Sequence, residues 1–185
     1  MPLSTIPQQG NTKAHLKAMK GRRNAAALFA CVAILWLLVD IATKAYFNSG
    51  QFFVGQFIAG PFLGLFEFVL VHNTGAAWGI FGDSTFALGV FSLLMCLAIL
   101  AFFLYLSKDI SWIETFGIAL VFSGGLGNAI DRFNLNYVVD FINFSFMDFP
   151  VFNIADIGVT CGIVIFLVAF FMREYGGQKE GEPCE

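Results

Sequence analysis

Four long apolar runs organise the chain: 25–46, 86–106, 112–130 and 154–172. Each is close to the ~20 residues a helix needs to cross a bilayer. The second has no charged residue. The third follows Ser111 and has Glu114 at the spacing of a capping box. The fourth follows Pro150, and Asn153 is its expected N-cap. Segment 65–71 alternates instead, with Phe66, Phe68 and Leu70 against Glu67, Val69 and Val71. That period predicts a strand and a small outer sheet on the membrane surface. Segment 134–152 carries Tyr137, Phe141, Phe144, Phe146 and Phe149, and reads as a loop at the lipid interface. Residues 1–24 read as a flexible polar tail, 25–175 as one membrane domain, and 176–185 as a disordered Gly- and Glu-rich tail.

Composition agrees with the pattern. The chain is 58% hydrophobic and 12% charged, where soluble domains carry roughly 25% charged residues. Lys and Arg total 10. Lys13, Lys17, Lys20, Arg22 and Arg23 precede the first run, Lys108 lies between the second and third, and Arg173 and Lys179 follow the fourth. The positive-inside rule puts all of these, and both termini, in the cytoplasm. The basic start is no signal peptide, because the apolar run behind it is too long and no small-residue cleavage site closes it. Cys31, Cys96, Cys161 and Cys184 form no CxxC pattern. The first three are expected to be small core residues.

This topology brings Asp40, Lys44, Asp131, Arg132, Asp140 and Asp156 to the outer face. Charges at a bilayer are costly and call for a reason. Asp140 lies in the apolar stretch YVVDFI, and Asp156 lies three residues after Asn153 at a helix start. Two carboxyls close together in a low-dielectric site share a proton, so one can activate water while the other protonates the departing group. The plainer alternatives are a dipole-complementing residue for Asp156 and an interfacial carboxylate for Asp140. If the pair is real, the helix start suits an ionised Asp156, and Asp140 carries the proton.

Asn128, Asp131 and Arg132 share one helix face. Arg132 is placed to clamp a backbone carbonyl and Asn128 to orient a substrate or loop, while Asp131 is expected to be neutralised by its neighbour Arg132. Asp40 and Lys44 are either a self-neutralising pair or part of the site. In the run His72–Asn73–Thr74–Gly75, Asn73 is the better binding candidate, since an amide both donates and accepts. Gly75 permits close approach, and Gly124, Gly125 and Gly127 permit close helix packing. No serine- or zinc-hydrolase motif is present.

Five blocks now resemble the lipoprotein signal peptidase (signal peptidase II) family, and in the same order. They are DIATK at 40–44, HNTGAAWG at 72–79, GGLGNAIDR at 124–132, VVDF at 138–141 and FPVFNIAD at 149–156. The resemblance implies a four-helix membrane fold with a small outer sheet and a catalytic dyad at Asp140 and Asp156. Asp131 would be a supporting residue. Asp40, Lys44, Asn73, Gly75, Asn128, Arg132 and Asn153 would shape or line the substrate site. Asn136 stands where family members often have Gly, at a turn Asn tolerates.

The implied substrate is a prolipoprotein, cut before its diacylglyceryl-modified Cys by a water held between the two Asp. No metal or organic cofactor is implied. Membrane lipids are the expected surroundings, with no nucleic acid and a monomeric enzyme in the bacterial inner membrane. A proton channel or small transporter is the main competing class, since such proteins also use intramembrane Asp and Lys. The clustering of charge at one face speaks against a conduction path. A non-catalytic scaffold would leave the Asp pair unexplained.

Overall fold

The computed structural model describes residues 9–75, 84–107 and 110–178. Residues 1–8 and 179–185, Lys108 and the second half of the HNTGAAWG block lie outside the described residues. Four helices, α1 (Gln9–Phe47), α2 (Thr85–Leu106), α3 (Trp112–Leu135) and α4 (Ile154–Gln178), are each long and apolar enough to cross a membrane. Three strands, β1 (Phe57–Phe62), β2 (Phe66–Asn73) and β3 (Val138–Phe144), form an antiparallel sheet in the order β1–β2–β3.

The centre of the bundle is α3, which packs on all three other helices. Its span is 56% buried, against 17% for each of the others. This explains why it is the least apolar of the four: its polar residues meet protein rather than lipid. Glycines set the helix spacing. A Cβ at Gly117 would lie 2.7 Å from the Gly162 carbonyl, and one at Gly162 would lie 2.6 Å from the Gly117 carbonyl. Nearer the outer end, a Cβ at Gly124 would strike the Ala155 carbonyl and one at Gly127 the Asp40 carboxylate. The predicted close packing is therefore present, and α4 crosses α3 almost backbone to backbone.

Both predicted helix starts have the expected caps. The Ser111 hydroxyl accepts from the Glu114 amide, and Glu114 accepts from the Ser111 amide. Asn153 and Asp156 repeat the pattern at α4, with the Asp156 N–H to Asn153 Oδ1 at 3.1 Å and the Asn153 N–H to Asp156 Oδ2 at 3.0 Å.

Four expectations need correction. The polar stretch before the first apolar run is not a free tail from residue 9 onward, because α1 begins at Gln9. The third helix does not end at 130 but runs to Leu135, ending at Asn136 in the left-handed conformation (φ 62°). Segment 134–152 is not a free interfacial loop, since 138–144 pairs with β2. Of the cysteines, Cys96 is a core residue, but Cys31 and Cys161 are exposed on the helix surface.

The sheet closes over the outer end of the bundle through Phe47, Leu70, Val139 and Phe141, with Phe47 and Phe141 stacked at 4.2 Å between ring centroids. One extra residue in β2 between Phe68 and Val71 makes a bulge, which breaks the simple alternation and re-aims the strand. Beyond the bulge Val71 pairs with Asp140 and Asn73 with Val138. After β3 the chain turns back, and Phe152 bridges Ile142. That return delivers Asn153 and the start of α4 to the side of Asp140.

Candidate active site

Asp140 and Asp156 reach one cavity from different elements, β3 and the first turn of α4. The cavity holds about 440 Å³. Asn73, Asn128, Arg132, Asp140 and Asp156 form its polar wall. Phe144, Phe149, Phe152 and Ile157 form much of its apolar wall. Asn153 ties the two carboxylates together. Its side-chain N–H donates to Asp140 Oδ1 at 2.7 Å while its backbone N–H donates to Asp156 Oδ2.

Each carboxylate has further donors. Asn73 Nδ2 donates to Asp140 Oδ2 at 2.9 Å, and Asn128 Nδ2 donates to Asp156 Oδ1 at 2.8 Å. Burial raises the Asp140 carboxyl, and the Asp156 charge beside it raises it further. The Asn73 and Asn153 hydrogen bonds and the Lys44 charge oppose this, yet the pKa still stands at about 7. A carboxyl in that condition is part protonated near neutral pH. Among the described residues, Asp156 accepts from the same kind of partner as Asp140 does, N–H donors alone.

Behind the cavity lies a buried charge cluster. Lys44 Nζ meets Asp40 Oδ2 at 2.9 Å, Asp131 Oδ2 at 3.2 Å and Asn128 Oδ1 at 2.9 Å. Asp40 also accepts from the Ala155 backbone N–H at 2.9 Å. Asp40 and Lys44 do form an ion pair, but Lys44 is buried rather than snorkelling to the membrane edge, and Asp40 braces the backbone at the start of α4. Asp131 departs from expectation. Its partners are Lys44 and the Val139 N–H at 3.1 Å, not Arg132. Helical geometry is the cause, because consecutive residues point to different sides.

Arg132 behaves as a carbonyl clamp. It donates to the Asn128 carbonyl at 3.1 Å and, across the site, to the Gly75 carbonyl at 3.3 Å. Among the described residues its Nε has no partner. The Gly75 N–H in turn donates to Asn73 Oδ1 at 3.0 Å, locking the Asn73 amide with its NH₂ toward Asp140. His72 stays outside this network. It stacks on Tyr137 and lies 2.9 Å from Asn48 Oδ1, and burial lowers its pKa, which fits a structural role.

Of the site residues predicted from sequence, Asp140, Asp156, Asn73, Asn128 and Arg132 line the cavity. Asp40, Lys44, Gly75 and Asn153 hold those residues from behind. Three contributors were not among the residues predicted from sequence. Trp36 donates to the Ile154 carbonyl at 3.1 Å and fills the space left by Gly158. Thr160 and Cys161 extend the cavity along α4. Helical spacing from Asp156 was the one available hint for that pair, since 160 lies one turn beyond 156.

Comparison with known proteins adds identity to geometry. A family model described as signal peptidase (SPase) II matches residues 32–172. The lipoprotein signal peptidase of Lactobacillus gasseri is 32% identical over 154 residues, covering 83% of this chain and 98% of that protein. That of Nostoc punctiforme is 38% identical over 147 residues, covering 79% and 90%. A solved bacterial membrane enzyme structure superposes with a TM-score of 0.70 at 29% identity, covering 85% of this chain and 94% of that one. The matched region takes in the second part of α1, all of α2 and α3, most of α4, the sheet and every cavity-lining residue, and on these grounds the chain belongs to the signal peptidase II family, the aspartic peptidases that remove signal peptides from lipoprotein precursors.

Proposed function

We propose that this peptidase cuts prolipoproteins immediately before the diacylglyceryl-modified Cys, with Asp140 and Asp156 as its catalytic dyad. The observation that carries this reading is the bridge made by Asn153, which bonds both carboxylates at the wall of one cavity. A water between them loses a proton to Asp156 as its oxygen attacks the scissile carbonyl. Asp140 gives its proton to the carbonyl oxygen. The C–N bond then breaks as the proton on Asp156 passes to the leaving amine, and the hydroxyl proton of the intermediate returns to Asp140. Protonation states are thereby restored, and the chemistry needs no metal or organic cofactor.

Asn73, Asn128 and Arg132 face the substrate. Asp40, Lys44, Gly75, Asn153 and Asp131 keep that wall in place. The apolar wall of Phe144, Phe149 and Phe152 suits the acyl chains and the signal helix, with membrane lipid as the medium. Positive residues in the first part of α1, ahead of its apolar run, and at the end of α4 favour both termini in the cytoplasm, with the site at the outer face of the bacterial inner membrane. The polypeptide works as a monomer, since one chain supplies both carboxylates.

The test is cleavage of a purified diacylated prolipoprotein. Asp140→Asn and Asp156→Asn should each lower kcat by about 10²–10⁴-fold. Full activity in either variant would remove that carboxylate from the mechanism.

A further inference from the structure

We propose that Lys44 is a positioning residue that fixes the orientation of the Asn128 amide and, through it, the state of Asp156. This inference rests on the dyad reading above. Lys44 is buried and does not line the cavity, so it has no direct path to substrate. Its ammonium lies 2.9 Å from Asn128 Oδ1, which also accepts from Asn153 Nδ2 at 3.1 Å. The other end of the same amide donates to Asp156 at 2.8 Å.

An ammonium can only donate. Asn128 must therefore turn its oxygen toward Lys44, which leaves its NH₂ for Asp156. The flipped amide would set donor against donor at Lys44 and Asn153, and acceptor against acceptor at Asp156. Lys44 in turn is held by Asp40 and Asp131. Trp36, Asp40 and Lys44 recur at four-residue spacing on α1, so one helical face does the whole task. Trp36 and Asp40 bind the backbone of the first turn of α4, and Lys44 sets the amide facing its third residue.

The charged groups around Asp156 come from every neighbouring element: Asp40 and Lys44 from α1, Asp131 and Arg132 from α3, and Asp140 from β3. Removing Lys44 takes away a cation and leaves Asn153, among the described residues, as the one remaining donor to the Asn128 oxygen, so the amide can turn that oxygen to Asp156 more readily. Both changes favour the protonated acid, so the acid limb of the activity profile moves to higher pH.

Lys44→Met combined with Asp40→Asn avoids a lone buried carboxylate at position 40. Expected are a fall in kcat of about 10²-fold, a KM within about twofold of wild type, and an acid limb moved up. A second variant, Asn128→Asp, keeps the oxygen that Lys44 and Asn153 bond and turns the donor facing Asp156 into a charged acceptor. It should reproduce the fall in kcat and the same shift. Thermal unfolding identifies which variants are folded. An unchanged kcat and acid limb in either folded variant overturns the proposal. So does a rise in KM at constant kcat, which would make Lys44 a substrate contact. Activity surviving in Asp140→Asn or Asp156→Asn is a separate result, which defeats the dyad reading itself.

Discussion

Asp140 is where the site is most exposed to pH. Burial and the Asp156 charge lift its carboxyl from 3.8 to about 7, a difference of about 4 kcal/mol between its charge states. The sign follows directly. A folded pKa above the unfolded one gives stability that is complete below about 3.8 and lost as pH rises through about 7. Solubilised wild-type protein should therefore melt at a lower temperature at pH 8 than at pH 5, and the slope should shrink in Asp140→Asn. The same proton should be visible as a carboxylic-acid infrared band at pH 6 that fades by pH 8. If Asp140 is the acid, the basic limb of kcat falls in that interval. A band that survives Asp140→Asn would assign the proton to another carboxyl.

At the scale of elements, the site depends on how closely α4 approaches α3. Gly117 and Gly162 meet backbone to backbone about 16 Å along α3 from Asn128 by helical rise. Gly117→Ala should cost about 1–3 kcal/mol through overpacking, seen as a lower melting temperature with kcat unchanged in the folded fraction. Gly124→Ala differs, because its Cβ strikes the Ala155 carbonyl in the turn that carries Asp156. It should lower kcat as well as stability; equal kcat in the two variants would show that the first turn of α4 tolerates displacement. The helix signals behind this packing were readable in the sequence. The apolar runs, the capping box at Ser111, the Asn153 cap and the glycine cluster are all local features. The strand bearing Asp140 was not readable, because its partner β2 lies far back in the chain and a bulge interrupts their register. The end of α3 was misread for a related reason. The apolar run stops at 130, and the partners that let the helix continue past it with Asp131 and Arg132, Lys44 of α1 and the Gly75 carbonyl, lie far away in the chain. The two carboxylates and their amides could be named from sequence, but what holds the amides in one orientation could not.

For the molecule as a whole, the distribution of apolar surface implies an orientation as well as a span. Exposed Leu, Ile, Val and Phe side chains ring α1, α2 and α4 as lipid-facing surface, and the sheet caps one end. At the β1–β2 turn, Leu63 and Gly64 both have positive φ, which suits a tight hairpin. Leu63 is 93% exposed at its tip. At the opposite end Arg22 donates to Ser107 and Arg173 pairs with Glu114, so cations gather where the positive-inside rule expects cytoplasm. These two ends give the orientation a direct test. In a background where Cys31, Cys96, Cys161 and Cys184 are replaced, Leu63→Cys should react with a membrane-impermeant maleimide in spheroplasts. Gln178→Cys should react only after the membrane is opened. The reverse pattern would place the Asp140–Asp156 cavity on the cytoplasmic side, where a translocated precursor could not reach it.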